Sequence, residues 1–364
     1  MQGLLHAAEQ AIAANVLLAW VALICAFVVL AKCADLFVES SVVLARRARL
    51  PKLVIGIVLV SLATTAPELS VSVMAAVKGN PEMALGNAIG SVICDDGLAL
   101  GLAGVFAATP VLIMPGVLRT SGLVLIGVAT LAFLFVLPDA TLSAAEGAVL
   151  LVVFVGYIVH LYREHRKGRF HHQIELDGPP DLEALRMSAW RMGLWFGVGL
   201  AGILLASEFI VTSATTIALW LSVPNAVIAL TLVALGTSIP EVATCVTAVR
   251  KGHGAVAVGN ILGADIMNIC WVAGASSLAN DLVLKPKTVH FMFPAMFVVV
   301  GVMLLLLRKG YSLTRRKGVV LLAVYLGYLA ASAILFPPEP KAVLDAAAAP
   351  AAEAPAPPVE EAAP

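Results

Sequence analysis

The sequence predicts an all-α polytopic membrane protein: ten transmembrane helices arranged as two inverted five-helix repeats. Three observations carry this expectation. The chain is 60% hydrophobic and only 13% charged, against roughly 45–50% and about 25% in an average soluble domain. Runs such as Val16–Leu30, Gly122–Leu137, Ala148–Leu161, Phe291–Leu307 and Val319–Leu335 approach or exceed the length that crosses about 30 Å of hydrocarbon. Finally, one stretch of sequence occurs twice.

Taken in order, the apolar segments give spans at about 15–44, 53–77, 82–107, 114–137, 142–162, 190–217, 225–249, 255–278, 288–307 and 317–336. Their orientation follows from the basic residues, which collect in cytoplasmic loops. Alternate loops hold Arg46, Arg47, Arg49 and Lys52, then Arg119, then Arg163 to Arg191, then Arg250 and Lys251, then Arg308 to Lys317; the opposite side holds only Lys78, Lys285, Lys287 and Lys341. Both termini are therefore expected outside the cytoplasm, in a multi-pass protein of the cell (inner) membrane. Residues 1–161 form the first repeat and 190–336 the second. Between them, 162–189 reads as a charged cytoplasmic linker bearing His165, His171, His172 and Gly178-Pro179-Pro180. The Ala/Pro/Glu tail, 337–364, is too poor in large apolar residues to fold and is expected to be disordered. Met1–Asn15 has no basic stretch ahead of its apolar run, so no cleavable signal peptide is expected. The cysteines, Cys25, Cys33, Cys94, Cys245 and Cys270, lack metal-ligand spacing and read as small buried hydrophobes.

The repeat fixes the arrangement. At an offset of 173, Pro51–Asp95 aligns with Pro224–Asn268 without gaps, with about 18 of 45 positions identical. The identities include Pro67/Pro240, Glu68/Glu241, Lys78/Lys251, Gly79/Gly252, Gly86-Asn87/Gly259-Asn260 and Gly90/Gly263. The same offset relates Asp35 to Glu208, which with Glu39 read mainly as interface or helix-packing groups. Each half holds five helices. Because five is odd, the second half must enter the membrane from the other side, the arrangement of secondary transporters with a midplane site.

The repeated phrases are Thr64-Thr65-Ala66-Pro67-Glu68 and Thr237-Ser238-Ile239-Pro240-Glu241. A carboxylate at bilayer depth costs a few kcal/mol even on the lenient insertion scale. Bearing that cost twice at matching positions points to cation transport. Proline removes a backbone donor and breaks each helix just before its glutamate. Freed carbonyls are tolerated in a membrane only where they line a cavity. Together with the hydroxyls of Thr64, Thr65, Thr237 and Ser238, they form an all-oxygen cage suited to Ca²⁺, which takes six to eight oxygens. Two carboxylates balance one Ca²⁺ or two monovalent ions. Asn87, Ser91 and Asp95 share a helix face at i, i+4, i+8, with counterparts Asn260, Ala264 and Asn268. Asn87 and Asn260 read equally as ligands and as amides that satisfy freed backbone groups. Asp265 lies about 60° from Asn268 and could face the site, while Asp96 is turned about 100° from Asp95. Gly86, Gly90, Gly259 and Gly263 read as points of close helix approach.

Thr-Thr-Ala-Pro-Glu and Gly-Thr-Ser-Ile-Pro-Glu, each followed by Gly-Asn-x-x-Gly, resemble the two α-repeats of the calcium/cation antiporter superfamily, in its prokaryotic sodium/calcium exchanger branch. The resemblance covers residues about 15–336. It implies a non-enzymatic antiporter that exchanges Ca²⁺ for Na⁺ and extrudes Ca²⁺ by alternating access. It further implies that Glu68 and Glu241 ligate both ions, Thr64 and Thr237 offer oxygens to Ca²⁺, and Thr65, Ser238, Ser91, Asp95 and Asn268 complete Na⁺ positions. The first and sixth helices would slide across a rigid core. The chain departs from the family's Gly-Ser-Asn-Ile-Phe-Asn at Gly90-Ser91-Val92-Ile93-Cys94-Asp95 and Gly263-Ala264-Asp265-Ile266-Met267-Asn268. The acid and amide are exchanged between repeats, Ala264 lacks a hydroxyl, Ala63 replaces a glycine, and Asp96 and Asp265 are extra. The alternatives are H⁺/Ca²⁺ antiport on the same fold and a passive cation channel. Beyond the lipid bilayer, the transported Ca²⁺ and Na⁺ (or H⁺) are the only partners expected, with no cofactor, no nucleic acid and a monomeric state.

Overall fold

Long apolar segments fold as helices here, and several begin at a proline (Pro81, Pro115, Pro286), where the missing N–H is not needed. A computed structural model describes residues 10–12, 14–47, 56–166, 188–220 and 235–335. Helix α1 spans Val16–Arg47. A π-helical turn over Gly56–Val60 runs into the one-turn helix α2 (Ser61–Thr64), and α3 (Ala66–Val77) follows after a break. Helix α4 (Pro81–Cys94) continues through a π turn, Asp95–Ala99, into α5 (Leu100–Phe106). Strand β1 (Val111–Leu112), α6 (Pro115–Val136), β2 (Thr141–Leu142) and α7 (Ala144–Arg166) complete the first half. The second half has α8 (Ala189–Trp220), α9 (Ile239–Arg250) and α10 (Gly254–Met267). A π turn, Asn268–Val272, joins α10 to α11 (Ala273–Ala279). The chain ends with β3 (Leu282–Val283), α12 (Pro286–Arg308), β4 (Ser312–Leu313) and α13 (Arg315–Leu335).

Eight helical stretches among the described residues are long and apolar enough to cross a bilayer, with α4–α5 and α10–α11 each forming one stretch. The pair α2–α3, bent by 49°, adds a ninth. The expected span 225–249 is described only from residue 235 onward, and most of the expected linker and all of the expected tail lie outside the described residues. Adding 173 to the bounds of α3, α4, the π turn at Asp95 and α5 reproduces the bounds of α9, α10, the π turn at Asn268 and α11, to the residue. The repeat is therefore a repeat of backbone as well as of side chains.

Two short ribbons fasten the halves together. Strand β1 pairs antiparallel with β4, and β2 with β3, so each ribbon takes one strand from each half. The stretches α4–α5 and α10–α11 are the centre: 78% of the apolar window of α4–α5 is buried and 89% of that of α10–α11, against 17% for α1 and for α13, which face outward. Their central position is why polar groups on them escape lipid. Of the cysteines, Cys94, Cys245 and Cys270 are buried as expected, Cys33 is half-buried, and Cys25 is exposed. The correction at Cys25 follows from its place on the outward face of α1.

Helices α1 and α8 form a long pair. Phe37 and Phe196 stack at a tilt with ring centroids 4.8 Å apart. A Cβ on Gly199 would lie 2.8 Å from the Phe37 nitrogen and 3.0 Å from the Cys33 carbonyl oxygen, both backbone atoms that cannot move aside. A Cβ on Gly197 would meet open space. Gly199→Leu is therefore expected to force the helices apart and to destabilise the protein by on the order of 1–3 kcal/mol. Gly197→Ala should leave the melting temperature in detergent unchanged or raise it. Equal melting of the two variants would contradict the close crossing.

Candidate cation site

The two breaks position the site. Thr65 (φ −80°, ψ 0°) and Ser238 (φ −85°, ψ 2°) sit near the bridge region of backbone space, where a helix turns out of register. The Thr65 N–H still donates to the Ser61 carbonyl (2.8 Å), and the Leu69 N–H to the Thr65 carbonyl (3.1 Å). Pro67 has no N–H to offer the Ala63 carbonyl, nor Pro240 the Gly236 carbonyl. The break thus falls three residues before each glutamate. Each proline occupies the first turn of the following helix, where its missing donor is not needed. Glu68 and Glu241 consequently lie in the first turns of α3 and α9. A helix N-terminus favours negative charge by about 0.3–1 kcal/mol, and up to ~2 in partly buried geometry. That is less than the several kcal/mol lost when an ion leaves water, so the remainder must come from other ligands.

All twelve side chains singled out in the sequence are buried: Glu68, Glu241, Thr64, Thr65, Thr237, Ser238, Ser91, Asp95, Asn268, Asn87, Asn260 and Asp265. The structure brings most of them together across the repeat boundary. Glu68 lies in electrostatic range of Glu241 and Asp95, with the Thr237 hydroxyl beside it. Glu241 is flanked by Thr64 and Thr65, and the Thr65 hydroxyl donates to its Oε1 at 3.4 Å. Asp95 adjoins Glu241, Asp96 and Ser238. Ser91 and Asn268 are buried with side-chain polar atoms unpartnered.

Asn87 and Asn260 are cross-repeat struts. The Thr237 hydroxyl donates to Asn87 Oδ1 at 3.2 Å, and the Thr64 hydroxyl to Asn260 Oδ1 at 3.2 Å. The amide groups point away from the carboxylates: Asn87 Nδ2 donates to Ser72 (3.0 Å) and to the Glu68 carbonyl (3.4 Å), and Asn260 Nδ2 to Thr244 (3.1 Å). Asn87 Nδ2 thus meets a main-chain carbonyl, whereas Asn260 Nδ2 meets only side chains, Thr244 and Cys245. Ser72 and Thr244 went unremarked in the sequence. Their signal was a polar side chain one turn beyond each glutamate on an otherwise apolar helix face.

Both oxygens of Glu68, Asp95, Asp96 and Asp265 lack a hydrogen-bonding partner, as does Glu241 Oε2. Asp96, set aside on its angular offset, is fully buried and lies against Asp265. At the crossing of two helices that are buried all round, an offset of 100° does not carry a side chain to lipid. Among the described residues no three His, Cys, Asp or Glu side chains converge closely enough to hold a metal alone. A cation here must draw on hydroxyls and carbonyls as well.

One further sequence reading is corrected, at Gly86. A Cβ on Gly263 would lie 2.3 Å from the Ile57 carbonyl oxygen and 2.4 Å from Ser61 Oγ, so α10 is pressed against the chain leading into α2; a Cβ on Gly86 would meet nothing within 4 Å, so close approach is absent there. Asp35 and Glu39 on α1 pair with Lys251, Asp35 at 3.5 Å. With Ala31, Thr247 and Arg250, Asp35 and Lys251 line a crevice of about 260 Å³ between α1 and α9.

Membrane-spanning helices broken at a shared, uncompensated acidic centre define a polytopic cation transport protein. The sodium/calcium exchanger protein family matches residues 18–163 and 192–334, and the chain belongs to that family. It is thus a cation antiporter rather than an enzyme. It is 32% identical over 316 residues to the inner membrane protein YrbG of Escherichia coli (strain K12), covering 86% of this chain and 96% of that protein. It is 27% identical over 338 residues to the sodium/calcium exchanger MaX1 of Methanosarcina acetivorans, covering 84% and 96%. Its fold matches the solved structure of the sodium-calcium exchanger NCX_Mj soaked with Na⁺ and Sr²⁺, with a TM-score of 0.71, 27% identity, and coverage of 87% of this chain and 99% of that one.

The site generates a packing prediction. Gly263→Ala should deplete the folded, monodisperse protein in size-exclusion chromatography, since a backbone carbonyl blocks the new methyl, whereas Gly86→Ala should elute as wild type. A well-folded Gly263→Ala protein would refute the contact.

Proposed function

We propose that this protein exchanges Ca²⁺ for Na⁺ across the inner membrane by alternating access. One observation carries the reading: Glu68 and Glu241, from opposite repeats, are fully buried in electrostatic range of each other, ringed by hydroxyls and lacking a basic partner. Glu68, Glu241 and the oxygens of Thr64 and Thr237 bind Ca²⁺. Thr65, Ser238, Ser91, Asp95 and Asn268 serve Na⁺, with Asp95 carrying the charge that the family keeps in the other repeat. Exchange across a pseudo-two-fold axis preserves the total charge. Both termini lie outside the cytoplasm, a reading that rests on the basic residues; the ribbons support the alternation of loops, since β1 with β4 and β2 with β3 each join loops that fall on one side. The protein works as a monomer.

A second reading keeps the fold and couples Ca²⁺ to H⁺. It is favoured by Asp96 and Asp265, two buried carboxylates beyond those the Na⁺ reading uses.

The test is ⁴⁵Ca²⁺ uptake into proteoliposomes. Uptake driven by an outward Na⁺ gradient is expected. Uptake driven only by a pH gradient would establish the proton reading, and flux without any counter-ion would mean a channel. Glu68→Gln and Glu241→Gln should each abolish exchange, and near-normal transport by either would defeat the assignment. Asp95→Asn should weaken the dependence on the counter-ion while Ca²⁺ binding persists; loss of Ca²⁺ binding would contradict the Na⁺ role given to Asp95.

A further inference from the structure

Two hydrogen-bonded chains run from the cage into the protein, one in each half. In one, the Thr64 hydroxyl reaches Asn260 Oδ1 (3.2 Å), Asn260 Nδ2 donates to Thr244 Oγ1 (3.1 Å), and the Thr244 hydroxyl donates to the Glu241 main-chain carbonyl (3.0 Å). In the other, the Thr237 hydroxyl donates to Asn87 Oδ1 (3.2 Å), while Asn87 Nδ2 donates to Ser72 Oγ (3.0 Å) and to the Glu68 main-chain carbonyl (3.4 Å). Every side chain in both is buried. Each chain begins on a cage threonine of one repeat, crosses to the other, and ends on the backbone of a glutamate.

The direction of these bonds is fixed by arithmetic of donors. Thr244 spends its single hydrogen on the Glu241 carbonyl, so toward Asn260 it can only accept. Asn260 must therefore turn its NH₂ to Thr244 and its carbonyl oxygen to Thr64. Facing an acceptor, Thr64 must donate. Glu241 lies beside the same hydroxyl and competes for its hydrogen; while that hydrogen goes to Asn260, the Thr64 oxygen keeps its lone pairs for the interior of the cage. The Val60 carbonyl, 3.1 Å from the same hydroxyl, is also an acceptor and leaves that outcome unchanged. The Glu68 carbonyl does for Asn87 what the Thr244 hydroxyl does for Asn260: it accepts only, and so pins the amide.

We infer that Thr244 and Ser72, which stand outside the cage, are positioning residues that fix the hydroxyls of Thr64 and Thr237 as hydrogen donors to Asn260 and Asn87, so that each oxygen presents lone pairs to the transported cation. This rests on the cation-exchange reading above. Without the relay, only main-chain carbonyls such as that of Val60 compete with Glu241 for the Thr64 hydrogen, and a hydroxyl that turns to the carboxylate masks an acidic ligand and withdraws its own oxygen.

The experiment is a double-mutant cycle on Thr64 and Thr244 in proteoliposomes. Thr244→Val should raise the KM for Ca²⁺ about tenfold, the equivalent of one buried hydrogen bond, with a smaller change in maximal rate. Thr244→Ser, which keeps the hydroxyl, should stay within about twofold of wild type. Ser72→Ala should have a smaller effect, because Asn87 retains the Glu68 carbonyl. Added to Thr64→Val, Thr244→Val should cause no further change in KM, since its effect passes through the Thr64 hydroxyl. Additive effects, or an unchanged KM in Thr244→Val, would overturn the relay. The same cycle read as melting temperature in detergent tests the coupling without any transported ion. A coupled cycle in a protein that moves no Ca²⁺ would sink the transport reading and leave the relay standing, and an additive cycle in an active exchanger would do the reverse.

Discussion

Uncompensated negative charge at the centre of a membrane protein governs much of what is built around it. Glu68 and Glu241 cannot be answered by lysine or arginine if they are to hold a mobile cation, and the helix N-termini on which they sit meet only part of the desolvation cost. Oxygen ligands must supply the rest, and a continuous helix has none to spare because its carbonyls are engaged along the axis. Hence the breaks at Thr65 and Ser238. A break in turn leaves backbone groups that lipid cannot satisfy, so both broken segments must be walled in by the central helices α4 and α10. The tight contact at Gly263 and the burial of these helices follow from that need.

Much of this was legible in the chain itself. Apolar runs mark the helices because membrane spans tolerate few charges, and the spacing between the paired Pro-Glu phrases gave the structural equivalence to the residue. What stayed hidden has identifiable causes. The π turns at Asp95 and Asn268 fall on Asp-Asp-Gly-Leu-Ala and Asn-Ile-Cys-Trp-Val, which share no feature that would announce a widened turn. The ribbons are two residues per strand, too short to leave an alternation. Ser72 and Thr244 were passed over because isolated hydroxyl residues are common in membrane helices and only their partners distinguish them.

The two halves share a backbone but not a charge distribution. Asp95 and Asp96 belong to the first repeat, Asp265 to the second, and Asn268 occupies the place where Asp95 has its mate. Ala264 faces the interior where Ser91 carries a hydroxyl. The bonds differ accordingly: Thr65 donates to Glu241, whereas Ser238, its counterpart, lies beside Asp95. A symmetric scaffold thus encloses a polarised interior, and the two ends of the cage present different fields to an ion arriving from either side.

The interlocking of the halves also constrains how the molecule is made. Strand β1 waits for β4 and β2 for β3, while Thr64 in the first half finds its amide only at Asn260. During synthesis, therefore, the leading half enters the bilayer with its acidic groups and ribbon edges unanswered, and closure comes only once most of the trailing half has emerged. The duplication that is so plain in the sequence is thus closed by contacts between its two copies.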